Sequence, residues 1–181
     1  FNVAVIHPDN EAGVAYAWAD NANARSYVPN TQFSSSPGPI SISRSGTGAY
    51  SVSFSQTRAS GGHVQVTSYG SAATRCSVGR FTGTTTFTAT VNCVAFNGRP
   101  VDSQFAIAMI QSPNAAGPYV GYAWADDADG QNYEPNTTYS SNPSRQAIQA
   151  DQISTGRYEV SFKELNPSSR PGGHIQVTAY G

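Results

Sequence analysis

The sequence predicts an all-β protein: two homologous antiparallel β-modules, sandwich or barrel-like, joined by a disulfide-bearing hairpin segment. Three observations carry this. Apolar and polar residues alternate with a period of two in segment after segment. No stretch shows the apolar spacing of an amphipathic helix. The chain also repeats itself. Tyr16-Ala17-Trp18-Ala19-Asp20 and Tyr27-Val28-Pro29-Asn30-Thr31 return as Tyr122-Ala123-Trp124-Ala125-Asp126 and Tyr133-Glu134-Pro135-Asn136-Thr137. Likewise Gly61-Gly62-His63-Val64-Gln65-Val66-Thr67-Ser68-Tyr69-Gly70 returns as Gly172-Gly173-His174-Ile175-Gln176-Val177-Thr178-Ala179-Tyr180-Gly181.

The recurrence divides the chain into a first module at 1–70, a Cys-bearing strand and hairpin segment at 71–104 packed on the modules, and a second module at 105–181. Insertions separate the copies between Pro8 and Gly13, between Ser36 and Gly48, and between Ser55 and Gly62, all Ser-, Pro- and Gly-rich loops. The blocks between them read as strands. Phe1 to Ile6 alternates and is matched by the run from Phe105. Tyr16, Trp18 and Asp20 share one strand face, with Ala17 and Ala19 on the other. Ile40 to Ser43 and Tyr50 to Phe54 are half-buried strands, and Tyr158 to Phe162 repeats the second with Tyr, Val and Phe on the inner face. Phe87 to Val94 is a further strand. Asn97-Gly98 signals a two-residue turn with both positions at positive φ, leading into the run from Val101. A module of about five strands is small for an independent core, so a substantial interface between the copies is expected.

Composition points to an extracellular protein: two cysteines, one lysine against nine arginines, few charges, and many Ser, Thr, Gly, Asn and Tyr. A Cys76–Cys93 disulfide is the expectation and two buried thiols the alternative. Neither a signal peptide nor a membrane-length apolar run is present, which reads as a processed or trimmed product without membrane insertion. A net charge of −1 argues against nucleic acid and anionic membrane surfaces as partners.

Taken in order, Tyr-Ala-Trp-Ala-Asp, Tyr-x-Pro, Thr47-Gly48-x-Tyr50-x-Val52, the Gly-Gly-His segment, Arg75-Cys76, Cys93 and Gly98-x-Pro100-Val101-Asp102-Ser103-x-Phe105 resemble a repeat of secreted bacterial proteins. That resemblance covers nearly the whole chain. It implies secretion, a tandem β architecture and the disulfide, and it carries no activity. It also implies a second copy cut short after Gly181.

Candidate ligand-binding residues fall in two rows. Trp18, Asp20 and Tyr27, repeated as Trp124, Asp126 and Tyr133, pair a flat aromatic with a carboxylate, as a sugar site requires: the apolar face of a pyranose stacks on the ring while its hydroxyls donate to the carboxylate. Against this stands a core role for both tryptophans, with alanine neighbours allowing close packing. His63, Gln65, Thr67 and Tyr69, repeated as His174, Gln176, Thr178 and Tyr180, form a polar row opposite Val64 and Val66, which reads either as a ligand face or as a solvated sheet face.

Metal and catalytic signals are weaker. Asp126, Asp127 and Asp129, near Gly130, form a weak candidate Ca2+ loop. The matching loop at Asp20 keeps one acid, and no cofactor is expected otherwise. Asn136-Thr137-Thr138 is a formal glycosylation acceptor. No nucleophile elbow, zinc-protease helix or phosphate loop occurs. Carboxylates paired as in a glycosidase, Asp20 with Glu11 or Asp126 with Glu134, do not recur between copies. The function expected is that of a secreted, non-catalytic binding protein recognising carbohydrate or another cell-surface ligand through duplicated sites. The alternatives are a structural or interaction protein of a bacterial extracellular assembly, oligomerising through strand edges, and a small secreted hydrolase.

Overall fold

A computed structural model of the chain describes residues 13–36, 38–55, 61–83, 85–111, 120–165 and 175–180. Among them there are strands and no helix. The strand expected over Phe1 to Ile6, His174 and the carboxylate Glu11 lie outside the described residues.

Nine strands build two facing antiparallel sheets. They are β1 (Gly13–Ala19), β2 (Ser26–Tyr27), β3 (Gln32–Ser34), β4 (Ile40–Gly46), β5 (Ala49–Ser55), β6 (His63–Tyr69), β7 (Thr74–Gly83), β8 (Thr86–Ala95) and β9 (Gln104–Gln111). One sheet runs β3-β1-β9-β6 and the other β2-β4-β5-β8-β7. The arrangement is an open sandwich and not a closed barrel. Alternation decides which face each strand buries: Ala15, Ala17 and Ala19 of β1, Val64 and Val66 of β6, and Phe105, Ile107 and Met109 of β9 meet Ile42, Val52, Phe54, Phe87 and Val91 from the opposite sheet. Each fully buried Phe or Ile side chain contributes about 1.5–3 kcal/mol of transfer free energy.

The Cys-bearing segment supplies β7 and β8, which extend the five-stranded sheet beyond β5. Cys76 and Cys93 are direct cross-strand partners and form a disulfide. Such a bond persists in oxidising surroundings. The Asn97-Gly98 turn differs from the two-residue form the sequence predicts. Gly98 has a φ of 80° and Asn97 is not among the residues at positive φ. Gly98 N–H donates to the Ala95 carbonyl at 2.9 Å, and Ala95 N–H donates to that of Arg99. This is a three-residue turn closed by a glycine bulge, which needs positive φ at one position alone.

The second copy departs from its predicted pattern. Its first strand, β9, lies at the centre of the first sandwich, hydrogen-bonded to β1 and β6. Asp102, just before β9, holds that crossing in place: it accepts from Arg44 Nε and Nη2 at 2.8 Å each and from Gly48 N–H at 2.9 Å. Tyr50 adds to the same cluster, its hydroxyl accepting from Ser103 N–H at 3.0 Å. The remainder of the copy forms a two-stranded sheet, β10 (Ile148–Ser154) with β11 (Arg157–Phe162), plus isolated bridges at Tyr122–Ser141 and Tyr133–Ala150. The strands expected around Trp124 and over 175–180 are not formed among the described residues. Instead, Tyr180 makes a parallel bridge to Val78 of β7. The burial predicted for Tyr158 and Val160 is also corrected, since both are exposed. A two-stranded sheet has no facing layer of its own to cover them.

Candidate functional site

The strand alternation of β1 sends its alanines into the core and turns Tyr16 and Trp18 outward. Trp18 is 53% exposed. Its strand neighbour across β9 is Ala106, which pairs in turn with Thr67 of β6. Ala106 carries a single methyl group, so nothing long rises from β9 between Trp18 and Thr67. Tyr69, at the end of β6, closes the shelf, its ring centroid 5.9 Å from that of Trp18 with the planes at 48°.

Tyr27 and Asp20 complete the cluster. Asn21 N–H donates to the Tyr27 hydroxyl oxygen at 3.2 Å, and Gln104 Nε2 donates to the Asp20 backbone carbonyl at 2.7 Å, tying the loop after β1 to β9. Burial raises the pKa of both Tyr27 and Tyr69, and the negative charge of Asp20 raises them further. Both phenols therefore stay protonated and able to donate. The shelf thus presents an exposed indole face, two phenolic donors and a carboxylate acceptor.

The equivalent residues of the second copy keep part of this geometry. Asp127 N–H donates to the Tyr133 hydroxyl at 3.3 Å, matching the Asn21–Tyr27 contact; burial raises the Tyr133 pKa, and this hydrogen bond offsets part of the rise. Trp124 is placed differently. It is packed against the sandwich core, edge-on to Tyr139 at 5.0 Å, Tyr180 at 5.4 Å and Phe81 of β7 at 5.8 Å. Its Nε1 is buried with no hydrogen-bond partner in the described structure. Of the two expected roles for tryptophan, Trp18 has the geometry of a platform and Trp124 that of a core anchor.

The polar row of β6 is partly covered by the second copy. His63 stacks on Tyr122 with centroids 5.7 Å apart and planes at 20°, and burial lowers its pKa to about 4. Gln65 Nε2 donates to the Gln176 backbone carbonyl at 3.3 Å. Thr178 Oγ1 accepts from Val66 N–H and donates to the Val66 carbonyl, both at 3.3 Å. Of this row, Thr67 and Tyr69 reach the Trp18 shelf.

The acidic loop of the second copy uses its side chains as turn acceptors. Asp127 Oδ1 takes Asp129 N–H at 3.2 Å, and Asp151 takes Asn132 N–H at 3.1 Å. Asp126, Asp127 and Asp129 are all exposed, and among the described residues no group of three or more His, Cys, Asp or Glu is placed to hold a metal ion.

No family model matches the chain, and no curated protein or solved structure is found similar to it. The polar row of β6 already contained Thr67, whereas Ala106 and Gln104 of β9 were not among the expected site residues. The signal was present in the alternation of β9, but local patterning does not reveal that a strand opening one copy is inserted into the other.

Proposed function

We propose that this is a secreted, non-catalytic binding protein that recognises carbohydrate on a cell surface through the Trp18 shelf. The observation that carries the reading is the outward, half-exposed indole of Trp18 beside Tyr69, Tyr27 and Asp20. A pyranose ring laid on the indole would offer its axial C–H groups to the aromatic face and its hydroxyls to the phenols and the carboxylate. The disulfide supports extracellular residence, as does the motif resemblance to secreted bacterial repeats. Within this reading the open site is single, and Trp124 serves to lock the second copy onto the first.

An array of glycans and polysaccharides probed with the wild-type chain, Trp18→Ala and Trp124→Ala tests the proposal. Selective binding by wild type that is lost in folded Trp18→Ala is the expected result. Equal binding by wild type and folded Trp18→Ala, or no binding to any glycan, removes it. A structural role in an extracellular assembly is the second reading, favoured by the exposed apolar residues Tyr158, Val160, Ile175 and Val177 of the second copy.

A further inference from the structure

The outward face of the four-stranded sheet continues past the Trp18 shelf. Tyr16 stands on the same face of β1, two residues and about 7 Å before Trp18, and is partly exposed. Phe33 of β3 stacks against it with centroids 5.7 Å apart and planes at 21°, which fixes the ring from the side away from β9. On the other side Tyr16 pairs with Ala108 of β9, and Ala108 pairs with Gln65 of β6. The next row repeats the order as Trp18, Ala106 and Thr67.

Two methyl groups therefore floor a trough along β9, with aromatic rings on one side and polar side chains on the other. Its walls, β1 and β6, lie two strand spacings apart, about 10 Å. At one end Ile110 pairs with His63, on which Tyr122 stacks at 5.7 Å, so the trough leads from Ala108 to Trp18 and Asp20. The three strands β1, β6 and β9 contain no Lys, Arg, Asp or Glu. We propose, resting on the carbohydrate reading of the Trp18 shelf, that Tyr16, Ala108 and Gln65 form a second sugar subsite beside it. The ligand is then an uncharged, extended oligosaccharide of two or more units.

Each ring can carry the apolar face of one sugar, and a spacing of about 7 Å sets consecutive units of an extended chain over consecutive rings. Gln65, held by its bond to the Gln176 carbonyl, has an amide oxygen that can accept from a sugar hydroxyl. A second unit linked to the one on Trp18 binds at high effective concentration, so two weak contacts add into one usable affinity. Asp20 at the end of the trough repels carboxylate-bearing sugars, and no Lys or Arg on these strands offsets it. Equatorial β-1,4 linkages give the straight chain that such a trough follows.

Isothermal titration of the full chain with β-1,4-linked oligomers of glucose, mannose and N-acetylglucosamine, from monomer to hexamer, tests it, with β-1,4-linked oligomannuronate as the charged comparison. Wild type is expected to bind the trimer of one uncharged series at least about tenfold tighter than its monomer, and oligomannuronate at least about tenfold more weakly than that trimer. In Tyr16→Ala, and in Ala108→Leu, which fills the outward floor without touching the core, the ratio of trimer to monomer affinity is expected to fall below about threefold. Ala108→Leu decides the outcome if Tyr16→Ala does not fold. Equal affinity for monomer and trimer, or an unchanged ratio in folded Ala108→Leu, overturns the second subsite; binding that is still lost in Trp18→Ala then leaves the shelf standing. Tighter binding of oligomannuronate overturns the uncharged class. Binding on the glycan array with none to these series overturns the extended ligand alone, and no binding on the array removes the carbohydrate reading with it.

Discussion

The rings of Trp18 and Tyr69 stand 5.9 Å apart across β9, inclined at 48°, with the methyl of Ala106 in the strand between them. At that inclination neither ring covers the face of the other, so the indole stays open to solvent. The pair comes from strands far apart in sequence and meets because β9 is inserted between β1 and β6.

Trp18→Ala is expected to weaken carbohydrate binding at least about tenfold, equivalent to about 1.4 kcal/mol, and to change folding stability by no more than roughly 0.5–1 kcal/mol, because the side chain is exposed. Isothermal titration and urea denaturation of the same preparation separate the two effects.

Trp124→Ala is expected to do the reverse. It removes an aromatic plug between Phe81, Tyr139 and Tyr180 and should cost about 2–4 kcal/mol. Trp124→Phe is expected to be milder, since it also removes a buried N–H without a partner, a group that costs about 1–3 kcal/mol. Urea midpoints of the two variants check the order.

Reduction of Cys76–Cys93, or replacement of both by Ala, frees a loop of sequence separation 17 and should lower stability by about 3 kcal/mol in the chain-entropy model. Guanidinium titrations with and without reductant measure it. Loss of the bond should act on β7 and β8, and through Phe81 on the Trp124 cluster.

The His63–Tyr122 stack makes the chain sensitive to mild acid. Burial lowers the folded His63 pKa to about 4 from its ordinary 6.5, so between those values the unfolded chain binds a proton that the folded one does not. The contribution of neutral His63 is fully present above about pH 6.5, declines as pH falls toward 4, and changes no further below that. His63→Phe keeps a stacked ring without a titrating group and should flatten this part of the stability profile.

The strands of the first sandwich were legible wherever alternation was clean: Ile40 to Ser43, Tyr50 to Phe54, Val64 to Tyr69 and Phe87 to Val94 all became β-strands with the expected faces inward. The three-residue strand β3 and the two-residue β2 were not, because neither is long enough to display a period. The Tyr-Ala-Trp-Ala-Asp motif correctly separated an alanine face from an aromatic face. It could not say which was buried, and the two copies resolve the choice in opposite ways. Trp18 lies over small residues of β9 and faces solvent, whereas Trp124 meets Phe81 and Tyr180, contacts set by packing across more than forty residues. The Arg44–Asp102 pair, which anchors the entry to β9, had no local signature at all.

The most direct measurement uses Trp124→Phe as background, where Trp18 is the sole tryptophan and the emission reports the shelf alone. Titration with the oligosaccharide selected on the array is predicted to give a saturable change in that emission, with no change in the Trp18→Phe protein. A saturable change seen through Trp124 alone, or none through Trp18 while binding persists by calorimetry, would contradict the assignment of the Trp18 shelf as the carbohydrate site.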